Sequence, residues 1–392
     1  MSVSALLLLL VSVVLATLLG TSSRPSCDTS THCGDAVPPA CSTFPCPASC
    51  DQTAAPCNGL VLEELWEKFD LDTWQHENTL AGGGTWEFQQ YTNSRRNSYV
   101  RNGTLFIRPT LTEEVYGEEF VRTGTLSVWG LHPPDECTGV AFFGCERSGL
   151  PGVTVVNPVQ SASVRTTRSF TFTYGRLEVT ARMPTGIWLL PKTNAYGSWP
   201  LSGHIKVAES RGNVDLKDSG GVSHGVDEMD SVLHWGPSAD LNAWWRTYVA
   251  KKAKEGTFGS DFHKYEVERT PDYIRFLLDG EETLKVAPGA GGFWALGEFP
   301  NHVDNPWKGA SKMAPFDQEF YLELNLAVGG ASNFLDEWTN KPHPKPWKNS
   351  ATTAMLDFYN AKAEWFPTWK RGVNDGEEAA LQVRAVRVWA YK

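Results

Sequence analysis

No lysine or arginine precedes the first long apolar run of this chain, and no second run of that kind follows it. The run, Ala5 to Leu19, is too short to cross a bilayer comfortably, and small residues follow at Gly20, Thr21, Ser22 and Ser23. Residues 1–23 therefore read as a cleaved secretory signal, leaving a secreted remainder with no candidate membrane span. Basic clusters are scarce as well. The formal charge is -10 and only Lys251, Lys252 and Lys254 stand together, which gives no electrostatic footprint for nucleic acid or an acidic membrane. Neither the nine histidines nor the acidic residues form a ligand-spaced cluster, and no Cys-x-x-Cys pair occurs, so no metal and no cofactor is implied. Helical periodicity is nearly absent, confined to a short stretch around Thr353 to Trp365, and there is no internal repeat.

Cysteine is concentrated at one end. Cys27, Cys33, Cys41, Cys46, Cys50 and Cys57 fall in a segment, residues 24–58, rich in Pro, Ser, Thr and Ala. In an oxidising compartment this is a disulfide-stapled segment, more simply a spacer than a binding module, and spacing does not choose among its pairings. Cys137 and Cys145 stand alone in the rest of the chain, close enough to form a local disulfide. Residues 59–392 are left for a single large domain.

That domain reads as strands. Arg176 to Met183 alternates strictly, with Leu177, Val179, Ala181 and Met183 on one face and Arg176, Glu178, Thr180 and Arg182 on the other. Tyr273 to Leu278, then Asp279-Gly280, then Glu281 to Val286 predicts a hairpin, because Asp-Gly supplies the positive φ angles of a tight turn. Phe320 to Val328 sends Leu322, Leu324 and Leu326 inward and Tyr321, Glu323 and Asn325 to the opposite side. Many short strands with Gly and Pro turns define an all-β protein, a large β-sandwich. Its 16 tryptophans are partly explained by such a core, yet flat amphipathic rings are also the surfaces on which sugar rings stack.

The stretch Gly203-His-Ile-Lys-Val-Ala-Glu-Ser-Arg-Gly-Asn213 resembles the catalytic strand of laminarinase-type β-glucanases of glycoside hydrolase family 16, whose pattern is Glu-x-Asp-x-x-Glu-Ser-Arg-Gly-Asn. His204 and Lys206 stand at its first two acidic positions, and Glu209 alone remains. Side chains at i and i+2 share a face of a strand, whereas i+5 has the wrong parity. A bulge near Val207 or Ala208 would bring His204, Lys206 and Glu209 into one cleft. Retaining hydrolysis needs a carboxylate nucleophile about 5 Å from a carboxylic acid. The strand offers no such nucleophile, and a cationic Lys206 lowers the pKa of Glu209, against the needs of a general acid.

Further segments extend the likeness from about Leu62 to the C-terminus. They include Gly82-Gly-Gly-Thr-Trp-Glu-Phe88, Asn97 to Leu105, Leu233-His-Trp-Gly-Pro237, Asn305-Pro-Trp307, Met313 to Tyr321 and Asn325-Leu-Ala-Val-Gly-Gly330. In these the chain resembles the invertebrate β-1,3-glucan recognition proteins, also called Gram-negative-bacteria-binding or lipopolysaccharide and β-1,3-glucan binding proteins. The resemblance implies a jelly-roll sandwich with an open concave cleft that binds β-1,3-glucan and, by extension, lipopolysaccharide. It also implies a pattern-recognition role upstream of an immune protease cascade. Two departures stand out. Met183-Pro-Thr-Gly-Ile-Trp188 lacks the Asp-Trp-Leu-Trp-Pro-Ala stretch that relatives carry before Ile-Trp, which removes a stacking platform, and Arg269 occupies a position usually held by Trp.

The residues expected to contact sugar are Trp188, Trp199, Glu209, Arg211, His234, Trp235 and Asn325. Trp199 and Trp235 are the stacking candidates, with Trp188 nearer to core packing. Glu209, Arg211, His234 and Asn325 carry the donors and acceptors that hydroxyls need. Asn102-Gly-Thr104 is a glycosylation sequon, placed by the flanking pattern on a surface turn.

Overall fold

The computed structural model describes residues 59–130, 136–139, 142–182 and 186–391. The expected signal and the cysteine-rich segment lie outside these residues.

Two antiparallel sheets face each other. The inner one has seven strands: β1 (Gln75–His76), β2 (Ser163–Arg165), β3 (Gly186–Pro191), β4 (His204–Ser210), β5 (Glu228–His234), β6 (Tyr248–Lys252) and β7 (Phe320–Asn325). Their spatial order is β6-β5-β4-β3-β7-β2-β1. The outer sheet has eight strands and runs Glu281–Val286, Ile274–Leu278, His263–Arg269, Gly175–Arg182, Leu381–Ala390, Thr104–Ile107, Ser98–Arg101. Gly59–Glu64 pairs with Leu381–Ala390 off that path.

Period-2 alternation makes the core. Leu177, Val179 and Ala181 of the outer sheet are fully buried together with Ile187, Leu189, Ile205, Leu233, Leu322 and Leu324 of the inner one. Each fully buried Val, Leu or Ile side chain contributes about 1.5–3 kcal/mol. The predicted hairpin is present, Leu278 pairing with Glu281 across Asp279 (φ 52°) and Gly280 (φ 83°). The predicted helical stretch forms Ala354–Asn360 and Lys362–Trp365, while short helices at Glu113–Tyr116, Glu118–Thr123 and Gly292–Gly297 gave no periodic signal. Each spans too few turns to show a period of 3.6 residues.

Cys137 and Cys145 form a disulfide. Asn102 is exposed on a tight turn with φ 50°. Arg269 is wholly interior, its guanidinium 4.4 Å from the Phe320 ring centroid and donating to the Phe172 carbonyl at 2.5 Å. Burial pushes its pKa down to about 9. In this chain the position therefore fills the core between aromatic rings. Among the described residues, no helix is long and apolar enough to cross a membrane.

Candidate functional site

The inner sheet's second face carries the polar residues that alternate with its core positions. On β4 the alternation is interrupted once. Lys206 pairs with Val232 and Glu209 with Asp230, so Val207 and Ala208 together oppose Ser231. The expected bulge is there, both bulged side chains are buried, and Glu209 returns to the face of His204 and Lys206. The Ser231 hydroxyl donates to the Val207 carbonyl at 2.7 Å and holds the bulge shut.

Lys206 is the hub of this face. Its Nζ lies 2.5 Å from Glu209 Oε2 and 2.7 Å from Asp230 Oδ1, and the three side chains are only 13, 12 and 5% exposed. Burial opposes the Lys206 charge, but attraction to Asp230 and Glu209 outweighs it and raises the pKa. Burial likewise opposes ionisation of Glu209, yet the Lys206 charge and hydrogen bond pull its pKa below the ordinary value. Asp230 goes the other way, raised by its burial against the pull of Lys206. An ammonium thus stands between two carboxylates on adjacent strands.

Beside this ion triplet runs a row of rings. Trp188 and His204 have centroids 5.0 Å apart, His204 and His234 5.7 Å, and His234 and Trp199 5.8 Å. The row crosses β3, β4 and β5 and ends on Trp199, which is 49% exposed. The Trp188 indole lies back over Gly186, where a Cβ would collide with it, and donates from Nε1 to Asn325 Oδ1 at 3.2 Å. Burial, with help from neighbouring positive charge, lowers His204 to about 3 and His234 to about 4, so both rings are neutral at physiological pH. The His234 tautomer follows from its neighbours. The Trp235 backbone N–H donates to Asn242 Oδ1, which leaves Asn242 Nδ2 to donate to His234 Nδ1 at 3.1 Å and puts the ring proton on Nε2. His204 Nε2 is buried without a hydrogen-bond partner.

Two more acids complete the floor. Burial, reinforced by the Glu77 charge and opposed by Arg165, pushes Glu323 up to about 8. Burial also raises Glu87 to about 7, against its bond from Thr85 and with the Glu209 charge adding to the shift. Among the described residues no cluster of three or more His, Cys, Asp or Glu could hold a metal ion.

Trp188, Trp199, His204, Lys206, Glu209, His234 and Asn325 are therefore brought together, and two tryptophans exchange roles. Trp235 is 0% exposed, packed against Phe293 and Phe299 and bonded through Nε1 to Thr247, so it offers no ring face to a ligand. Adjacent residues of a strand point to opposite faces, and His234 takes the open one. Trp188, taken for packing, lies on the open face instead, paired with Lys206. Arg211 lies past the end of β4, its guanidinium 5.1 Å from the Trp338 ring and its Nε donating to the Asn333 carbonyl. Asp230, Glu323 and Glu87 were not singled out from sequence. Counting back in twos from His234 reaches Asp230, and that signal was available.

Two antiparallel sheets, one of them carrying rings, amides and acids on its second face, define a laminarinase-like jelly-roll β-sandwich. The catalytic domain of an endo-1,3-beta-glucanase (laminarinase) from Thermotoga petrophila superposes with a TM-score of 0.52 at 19% identity, covering 86% of this chain and all of that one (100%). No protein-family profile matches the sequence. Among curated proteins, a beta-1,3-glucan-binding protein of Penaeus monodon is 45% identical over 347 residues, 86% of this chain and 92% of that protein. Beta-1,3-glucan-binding protein 1 of Galleria mellonella is 34% identical over 365 residues, 89% of this chain and 68% of that protein. The chain belongs to the β-1,3-glucan-binding protein family.

Proposed function

We propose that this chain is a secreted receptor for β-1,3-glucan that holds the polysaccharide without cleaving it, in innate immune recognition. The observation that carries this reading is the Lys206 hub. The position two residues before it holds a neutral imidazole in place of a carboxylate nucleophile, and Lys206 keeps Glu209 ionised where a general acid must hold a proton. What remains suits binding. Trp199 and Trp188 offer ring faces, His234 Nε2–H donates, and the raised carboxyls of Glu323 and Glu87 both donate and accept when protonated.

Titration with laminarin, followed by tryptophan fluorescence, tests binding, and a reducing-sugar assay on the same sample tests chemistry. Saturable quenching with no reducing ends above a boiled control is expected. Hydrolysis that disappears in Glu209→Ala would overturn the non-catalytic reading, and an intact fold that ignores millimolar laminarin would overturn the receptor.

A further inference from the structure

One cross-strand row of the inner sheet's open face runs through the ion triplet to the edge of the sheet. Trp188 pairs with Lys206, Lys206 with Val232 and Val232 with Tyr248, so these four side chains share that face on β3, β4, β5 and β6. Trp188 and Tyr248 stand on either side of the hub, three strand spacings or roughly 14 Å apart. Val232 is 2% exposed, and β6 is the last strand of the sheet. Burial, then the charges of Asp230 and Glu228, push the Tyr248 pKa up to about 12, so its hydroxyl remains a proton donor.

Tyr248 does not stand alone. The turn before β6, Trp244–Arg246, sets the Trp244 indole edge-on to it, with ring centroids 5.7 Å apart and planes at 89°. Both rings are 42% exposed, so core packing accounts for neither. The turn itself is pinned. The Ala243 N–H donates to the Trp235 carbonyl at 2.8 Å, the buried Thr247 hydroxyl donates to the Leu233 carbonyl at 3.0 Å, and Asn242 reaches His234. Two rings held part-open on a fixed turn form a preorganised platform, which loses little freedom when a ligand covers it. Its position selects the ligand, because it continues the face that carries Trp188, His204 and His234 onto the one strand left beyond them. A polysaccharide laid across the strands meets an apolar ring surface and a hydroxyl there, and it arrives only if the chain is long enough.

We propose that Trp244 and Tyr248 form an outer sugar subsite, which takes further glucosyl units of the chain held over the hub and makes long β-1,3-glucan the preferred ligand. The proposal rests on the receptor reading above and deepens it. Calorimetric titration of the full chain with linear β-1,3-linked tetraglucoside and octaglucoside tests it. The octaglucoside should bind the parent protein at least about tenfold more tightly. Part of that gain comes from the greater number of registers a longer chain offers, and variants keep that part. W244A/Y248A should lower octaglucoside affinity at least about fivefold and leave tetraglucoside affinity unchanged, whereas Trp199→Ala should weaken both. Tyr248→Ala alone, with a smaller loss confined to the octaglucoside, keeps the test open if the Trp244 change does not fold. Unaltered octaglucoside affinity in the variants, or equal losses at the two lengths, would refute the outer subsite and leave the receptor standing. Binding of neither compound by the parent protein would refute the receptor and the subsite with it.

Discussion

Replacing Lys206 with methionine should destabilise the protein in a pH-dependent way. The side chains are nearly isosteric, so the change removes a charge and little volume. In the parent, Nζ lies within 2.7 Å of oxygens of both Glu209 and Asp230, none more than 13% exposed. Breaking a buried ion pair by removing one partner costs about 3–5 kcal/mol, because the other charge stays buried. At about 2 °C per kcal/mol for a domain of this size, the melting temperature at pH 7.5 should fall by about 6–10 °C. The sign on acidification follows from linkage. Without Lys206, both carboxyls have folded pKa values above their unfolded ones, so the penalty is full at high pH and fades as the pH falls towards the unfolded values. It should shrink by up to about 1.4 kcal/mol per pH unit for each acid as it takes up a proton. The parent keeps the Glu209 contribution throughout, since the lowered pKa of that group loses stability only as the pH drops below the ordinary 4.5. Urea unfolding at pH 7.5 and pH 5.0 should therefore show a deficit that narrows by at least about 1.5 kcal/mol, and the triple variant K206M/E209Q/D230N should recover most of it. A deficit below about 1 kcal/mol at pH 7.5, or one equal at the two pH values, would refute the reasoning.

The double variant H204E/K206D should hydrolyse laminarin at least about tenfold faster than either single variant, a coupling of about 1.4 kcal/mol read in a reducing-sugar assay, because the nucleophile and the unlocking of Glu209 are needed together. Trp199→Ala should weaken glucan binding several-fold in a fluorescence titration, a stacking loss of about 0.5–1.5 kcal/mol, without altering the melt. Trp235→Ala should instead cost about 3–5 kcal/mol of stability in urea, as removal of an enclosed core indole does. Stability should also decline from pH 6.5 towards pH 4, since His204 and His234 take up protons more readily unfolded than folded, and His234→Gln should flatten that slope in melts across the range.

Where one face of a strand is buried, the sequence announced it. The alternation of Leu177, Val179 and Ala181 and of Leu322, Leu324 and Leu326 marked two core strands, and the parity of Glu209 required a bulge that the Lys206 to Glu209 register contains. What stayed hidden depends on neighbours across strands. Asp230 reaches Lys206 from β5, and nothing in the spacing of β4 reveals it. The row from Trp188 to Trp199 needs three strands and a loop in register, so no single segment carries its pattern. Trp235 was misplaced for a simpler reason: its composition suggested a sugar platform, while its place next to His234 had already assigned it to the core.

The ion triplet on the cleft floor also bears on the response of the proposed receptor to dissolved salt. Its charges face one another within 2.7 Å and lie almost out of solvent, where a surrounding ionic atmosphere screens them little. A neutral polysaccharide releases no counterions on docking. On the reading proposed above, glucan binding should change little between dilute fluid and concentrated brine, unlike capture of polyanions through exposed lysines.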